Sequence, residues 1–124
     1  MKKILLVDDD HQILEMLSTL LKRGGFSVEI TDNGKIAREM CEGGKYDLLV
    51  TDIVLPGKEG LDLILELSQK LPDMKVIAIS GGDSVEPEYY LELATILGAQ
   101  LTLVKPFTPS EFMDKVHATL GTRL

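Results

Sequence analysis

The sequence predicts an α/β fold in which five parallel strands form a doubly wound open sheet with helices on both faces. Short apolar segments alternate one for one with segments of helical periodicity, which is the pattern of repeated βα units. The strands are nearly continuously apolar, as is typical of parallel sheets buried on both faces. Right-handed crossovers then leave few other arrangements. The chain has 124 residues, 44% of them apolar, so we expect a single domain over residues 1–124.

The five predicted strands are short, rich in Ile, Leu and Val, and bounded by turn residues. In chain order they are Lys2–Asp8, Phe26–Asp32, Tyr46–Asp52, Met74–Ser80 and Gln100–Lys105. The first four helices are predicted from apolar residues that recur at helical spacing. These residues are Ile13, Leu14, Leu17, Leu20 and Leu21; Ile36, Ala37, Met40 and Cys41; Leu61, Ile64 and Leu65; and Tyr90, Leu93, Ala94 and Leu97.

The helix ends carry their own signals. Glycines stand where the first, second and fourth helices should end, at residues 24–25, 43–44 and 98. The start of the fifth helix is marked by a capping box formed by Thr108 and Glu111, with Pro109 at the first helical position. Phe107 and Phe112 are spaced to pack across this start as a hydrophobic staple.

Composition excludes several classes of function. The formal net charge is −7, which argues against direct binding to nucleic acid. The single cysteine, Cys41, forms no internal disulfide and lies on the apolar stripe of the second helix, so we expect it in the core. We see neither a secretory leader nor an apolar run long enough to cross a bilayer. A cytoplasmic location away from membranes is the expectation.

Ligands of such sheets bind beyond the carboxyl ends of the strands, so the residues at those ends are the candidate site. They are Asp8, Asp9 and Asp10 after the first strand, Asp52 after the third, Ser80 after the fourth and Lys105 after the fifth. Carboxylates gathered at one edge repel one another unless a cation is present, and an oxygen-only cluster suits Mg²⁺. We therefore expect a magnesium site at this edge.

The same residue types favour phosphoryl chemistry. Asp52, held beside Mg²⁺ and an ammonium, could attack phosphorus as a nucleophile and form an acyl phosphate. Lys105 could pair with a carboxylate or a phosphoryl oxygen, and Ser80 could donate a hydrogen bond to the same group. Asp52 is thus the residue that we expect to be modified.

These residues and their spacing resemble the response-regulator receiver domains of two-component signalling. The resemblance runs through "ILLVDDD", "DIVLPGKEG", "AISGG" and "LVKPF", in the order of that family. It implies a flavodoxin-like (βα)5 fold with strand order 2-1-3-4-5. It also implies a signalling domain rather than an enzyme, one that catalyses only its own phosphorylation and dephosphorylation.

The resemblance assigns a role to each matched residue. Asp9 would bind Mg²⁺ directly, Asp8 through water, and the backbone carbonyl of Val54 would be a further ligand beside Asp52. Asp52 would be the phosphoacceptor, Ser80 the hydroxyl that turns toward the phosphoryl group, and Lys105 the family's lysine. The bond between Lys105 and Pro106 would be the family's cis peptide.

One feature departs from the family pattern, and two further positions bear on the lifetime of the acyl phosphate. Thr102 stands at the switch position, which is usually aromatic, so any switch must depend on Ser80, on residues 81–88 and on the helix that follows. Val54 and Gly82 stand at positions that tune hydrolysis of the acyl phosphate, and neither has a polar side chain. We expect access of water to set the phosphorylated lifetime.

Other interpretations of the residues remain open. The triple aspartate could be a solvated turn in which Asp10 caps the first helix, and Asp52 could begin a turn before Pro56. His11 and His117 are both expected at the surface. A flavin-binding carrier would share the fold, but the acidic first loop would repel its phosphate. A magnesium-dependent phosphohydrolase would need a second carboxylate where Val54 stands, and a degenerate receiver would only bind partners.

The resemblance implies a sensor histidine kinase or a phosphotransfer protein as the donor. The partner surface for output would be the face formed by the fourth helix, the fifth strand and the fifth helix. Its candidate contact residues are Tyr89, Glu92, Thr102, Phe112 and Lys115. The chain would be a monomer or a phosphorylation-dependent dimer.

Overall fold

The structure, a computed structural model, describes residues 1–53, 60–81 and 87–122, and only the backbone for residues 87 and 88. Strands and helices alternate along this part of the chain. They are β1 (Lys3–Val7), α1 (His11–Arg23), β2 (Ser27–Thr31), α2 (Gly34–Gly43), β3 (Leu48–Asp52), α3 (Gly60–Lys70), β4 (Lys75–Gly81), α4 (Pro87–Leu97), β5 (Leu101–Lys105) and α5 (Pro109–Leu120).

The five strands form one parallel sheet in the order β2-β1-β3-β4-β5. This confirms the predicted fold class and strand order. Each predicted strand is present with bounds that differ by at most two residues. The register places Asp52 opposite Ile79 and Lys105 opposite Gly81, so the ends of β3, β4 and β5 lie side by side at one edge.

Both faces of the sheet are covered, which explains why the strands are apolar at consecutive positions. Along β1, Leu5 and Val7 pack with residues of α2, α3 and α4, while Ile4 and Leu6 pack with residues of α1 and α5. Cys41 belongs to the first of these layers and is 1% exposed, as predicted. Burial raises the pKa of its thiol to about 12, so it is protonated at neutral pH.

The caps confirm the predicted helix starts. The Asp10 carboxylate accepts hydrogen bonds from the backbone N–H groups of Gln12 and Ile13 at the start of α1. The Thr108 hydroxyl accepts one from the N–H of Glu111 at the start of α5. The Phe107 and Phe112 rings stack across this start with their centroids 5.9 Å apart. The Lys105–Pro106 peptide bond is cis, as the resemblance implied.

Two surface expectations were wrong. Phe112 is fully buried under β4 and β5 among Ile79, Leu103 and the other apolar residues of its layer, so it is no contact residue for a partner. His117 is 9% exposed, because the last turn of α5 packs on the loop after α1. Its ring lies 5.5 Å from that of Phe26, and its Nδ1 lies 2.6 Å from the Thr122 hydroxyl.

Within the described residues, no helix has both the length and the apolar character needed to span a bilayer.

Replacing Phe112 with alanine should lower the free energy of unfolding by about 3 to 5 kcal/mol, because a fully buried ring is removed from a packed layer. The matched control is Tyr89→Ala, since Tyr89 is 55% exposed and its loss should cost about 0.5 kcal/mol or less. Urea unfolding followed by circular dichroism measures both. Equal losses in the two variants would contradict the burial of Phe112.

Candidate functional site

The carboxyl ends of four neighbouring strands bring the predicted site residues together. Asp8 follows β1, Asp52 ends β3 and Lys105 ends β5. The Lys105 ammonium lies 2.9 Å from Oδ2 of Asp8 and 2.8 Å from Oδ2 of Asp52. Because β4 stands between β3 and β5, the Lys105 side chain crosses the end of β4 to reach both carboxylates.

Burial makes this pairing strong. Asp8 is 3% exposed and Asp52 is 8% exposed, so neither charge is well solvated. Burial raises the pKa of the Asp8 carboxyl, although the hydrogen bond from the Asp10 N–H and the pairing with Lys105 oppose the shift. Burial alone would lower the pKa of Lys105, but its hydrogen bonds to Asp52 and Asp8 outweigh that effect, and its pKa lies above the ordinary value. Lys105 is therefore charged at neutral pH.

The acidic residues at this edge fit a divalent cation. Carboxylate oxygens of Asp8, Asp9 and Asp52 lie within 4.8 Å of one another, and Asp9 is exposed to solvent. Among the described residues, these three carboxylates outnumber the single ammonium of Lys105. A hard divalent ion such as Mg²⁺ is the cation that an all-oxygen donor set of this kind suits.

Ser80 lies in β4, between the strands that carry Asp52 and Lys105. It is 1% exposed, and within the described part of the chain its hydroxyl has no hydrogen-bond partner. A buried hydroxyl without a partner costs about 1 to 3 kcal/mol. Such a group is available to a ligand that reaches this edge of the sheet.

The remaining predicted residues lie elsewhere or outside the described ranges. Thr102 is half-buried on β5 opposite Ala78, three residues before Lys105 and away from the carboxylates. Val54, predicted as a metal ligand, and Gly82 lie outside the described residues. His11 is exposed, as expected, and its Nε2 lies 2.7 Å from Oδ2 of Asp32.

Sequence reasoning missed two groups that hold the end of β3. The Thr51 hydroxyl donates a hydrogen bond to the Asp52 carbonyl at 2.9 Å. Gly60, the first residue of α3, packs on the same carbonyl, and a Cβ built there would lie 2.4 Å from the Asp52 oxygen and 2.4 Å from the Ile53 Cα. Nothing in the sequence distinguishes Gly60 from an ordinary loop glycine, because the contact exists only after α3 folds back onto β3.

Comparison with known proteins identifies the family. Residues 4–117 match the family described as the response regulator receiver domain. The chain belongs to this family. Response regulators are proteins of two-component systems, and their receiver domains serve signalling rather than turnover of an external substrate. This match confirms the resemblance seen in the sequence. It favours a receiver domain over the flavin-binding carrier and the phosphohydrolase.

Relatives and solved structures agree over nearly the whole chain. The alkaline phosphatase synthesis transcriptional regulatory protein PhoP of Bacillus subtilis is 34% identical over 119 residues, which are 96% of this receiver domain and 48% of PhoP. The chain spans about half the length of the curated relatives that it matches.

Two solved structures show the same fold. A CheY-like receiver domain protein from Methanospirillum hungatei has a TM-score of 0.88 at 30% identity, covering 98% of this chain and 94% of that one. The response regulator TrrA from Thermotoga maritima, in complex with Mg²⁺ and BeF, has a TM-score of 0.84 at 33% identity, covering 97% and 100%.

Replacing Lys105 with methionine should destabilise this receiver domain at neutral pH by about 3 kcal/mol, because the buried Asp8 and Asp52 lose the ammonium that pairs with both. Ion pairing raises the folded-state pKa of Lys105 above its ordinary value of 10.5. Its stabilisation is therefore complete below about pH 10 and is lost as the pH rises through the folded-state pKa. The difference in the free energy of unfolding between wild type and Lys105→Met should therefore shrink as the pH rises above about 10.

Urea unfolding from about pH 7 to about pH 12 measures this difference. Lys75→Met is the matched control, since Lys75 is an exposed strand lysine at the opposite end of β4 and should change stability by about 0.5 kcal/mol or less. A deficit in Lys105→Met that stayed constant up to the highest pH would rule out the ion pair as its cause.

Proposed function

We propose that this receiver domain accepts a phosphoryl group on Asp52 from the phosphohistidine of a sensor histidine kinase or a phosphotransfer protein. The observation that carries the proposal is the buried Asp52 carboxylate, which lies 2.8 Å from the Lys105 ammonium and within the acidic group of Asp8 and Asp9. Asp52 lies at the carboxyl edge of the sheet beside two further carboxylates, and the nearby buried Ser80 hydroxyl has no hydrogen-bond partner among the described residues.

The transfer is a displacement at phosphorus. A carboxylate oxygen of Asp52 forms the new bond to phosphorus as the bond from phosphorus to the histidine nitrogen breaks, and the electron pair returns to the imidazole. The product is an acyl phosphate on Asp52. The receiver domain catalyses this step, and the later hydrolysis, only on itself.

Each neighbour of Asp52 has a role in this proposal. Lys105, already held at the Asp52 oxygen, would pair with a phosphoryl oxygen as negative charge moves outward. The Ser80 hydroxyl would donate a hydrogen bond to another phosphoryl oxygen and so gain a partner that no described residue provides. Asp8, Asp9, Asp52 and the backbone carbonyl of Val54 would hold Mg²⁺. The bound ion supplies charge neutralisation at the phosphoryl oxygens.

The signal would leave the site as a shift between two conformations. A phosphoryl group adds roughly −1.5 to −2 charge and three strong acceptors beside Lys105 and Ser80, which favours a rearranged end of β4 and the segment after it. Thr102 stands where the family usually has an aromatic residue, so no aromatic ring can turn inward at this position. Ser80 would therefore be the side chain that responds first to the phosphoryl group. Access of water would set the lifetime of the acyl phosphate.

The partner surface is proposed at the face of α4, β5 and α5. Tyr89 and Glu92 are exposed there, and Thr102 and Lys115 are half-buried. The structure adds two apolar side chains that sequence reasoning missed, and these are Ile96, 74% exposed, and Val104, 39% exposed. The occupant would be an output protein or domain, or a second phosphorylated copy. We also propose that residues 1–124 form a single receiver domain. This domain would lie in the cytoplasm and would bind neither nucleic acid nor membrane directly.

Incubation with acetyl phosphate and Mg²⁺ should add the mass of one phosphoryl group to the intact chain, and the gain should be lost in Asp52→Asn or with a chelator. Intact-mass spectrometry measures it, and alkaline treatment should reverse it. Asp32→Asn is the matched control, because Asp32 follows β2 at the same edge but pairs with His11, and this variant should be phosphorylated like the wild type.

A mass gain that persisted in Asp52→Asn would refute Asp52 as the acceptor. With no gain in the wild type, a titration with beryllofluoride distinguishes two cases. Binding would indicate a site that takes the phosphoryl group only from its own kinase. Absence of binding would overturn the proposal in favour of a degenerate receiver that acts only as an interaction module.

A further inference from the structure

Gly81 is the last residue of β4, and it stands where the Lys105 side chain must cross. In the sheet order, β4 separates β5 from β3, so Lys105 and Asp52 belong to strands roughly 9 to 10 Å apart. The Lys105 ammonium nevertheless lies within 3 Å of carboxylates on the far side of β4. The end of β4 must therefore leave room for both the backbone and the stem of Lys105.

The backbone at Gly81 provides this room. Its φ is +133°, a conformation that L-residues with a side chain rarely adopt. A Cβ built on Gly81 would lie 2.7 Å from both the nitrogen and the oxygen of Lys105 and 2.9 Å from its Cβ. The nearest atoms are main chain and cannot rotate away, so a side chain would force the end of β5 outward.

We propose that Gly81 is a positioning residue for Lys105: by lacking a side chain, it lets the end of β5 approach β4 closely enough for the ammonium to reach Asp52 and Asp8. The inference rests on the proposed phosphoryl-acceptor function only for its effect on rate, because the placement of Lys105 is measurable on the chain alone.

The chain offers a matched control at Gly25. Gly25 also has a positive φ, +91°, but a Cβ built there meets no atom within 4 Å. It lies after α1, near the start of β2 and at the opposite edge of the sheet from Lys105. Gly25→Ala thus places a side chain at a positive φ without a close contact, whereas Gly81→Ala does so together with displacement of Lys105.

The first measurement is the ¹⁵Nζ NMR resonance of Lys105, assigned by its loss in Lys105→Met. In Gly81→Ala the resonance should move toward those of the exposed lysines, and in Gly25→Ala it should stay at the wild-type position. An unchanged resonance in Gly81→Ala would overturn the proposal, whether or not the chain accepts a phosphoryl group.

The second measurement is the initial rate of mass gain with acetyl phosphate and Mg²⁺. Gly81→Ala should be slower than Gly25→Ala by about tenfold or more, as expected when one charged partner of the phosphoryl oxygens is displaced. In a Lys105→Met background the same Gly81→Ala change should alter the rate by less than about twofold, because no ammonium remains to be displaced. An equal loss in both backgrounds would mean a merely structural role and would overturn the proposal.

The outcomes for the two proposals are separable. A wild type that neither gains mass nor binds beryllofluoride overturns the phosphoryl-acceptor function, and the Lys105 resonance still decides the role of Gly81. Thermal unfolding establishes beforehand that each variant is folded. If Gly81→Ala unfolds, both measurements are made on all variants in trimethylamine N-oxide, which strengthens the burial of apolar surface and restores the fold.

Discussion

The reach of Lys105 across β4 to two buried carboxylates is the interaction on which the rest of this edge depends. Without a counter-charge, Asp8 and Asp52 would be isolated anions that the protein interior solvates poorly. The ammonium therefore allows two acidic side chains to be buried side by side at the ends of β1 and β3. A third carboxylate, Asp9, lies on the solvent side, and a group of three carboxylates suits a divalent cation.

Close backbone contacts and one hydroxyl also hold the strand ends that carry this ion pair. Gly60 packs directly on the Asp52 carbonyl, and the Thr51 hydroxyl bonds the same oxygen, so the end of β3 is fixed from the α3 side. A Cβ on Gly81 would likewise meet the main chain of Lys105, at 2.7 Å. The polar side chains of the site therefore lie on strand ends that pack closely against glycines. Between them, Ser80 is buried with its hydroxyl unpartnered in the described part of the chain.

The fold and most of the candidate site were predictable from the sequence, for a reason that lies in the topology. Apolar periodicity identifies βα units, and parallel strands necessarily bring their carboxyl ends to one edge. Residues at those ends, such as Asp8, Asp52 and Lys105, can therefore be grouped without knowing any distance. Caps were equally accessible, because Asp10 and Thr108 act on backbone groups two or three residues away. Local geometry follows from local sequence.

What the sequence alone determined was the parallel α/β architecture, the family, and the edge at which charged groups meet, since these depend on periodicity and chain order. Only the tertiary structure decided which atoms touch. Phe112 and His117 were expected at the surface and are buried, because their exposure depends on how α5 packs against distant segments. The roles of Gly60 and Gly81 were equally invisible, since a glycine's neighbours across strands depend on register and on close approach. Contacts between residues far apart in the chain are set by packing, which no local pattern records.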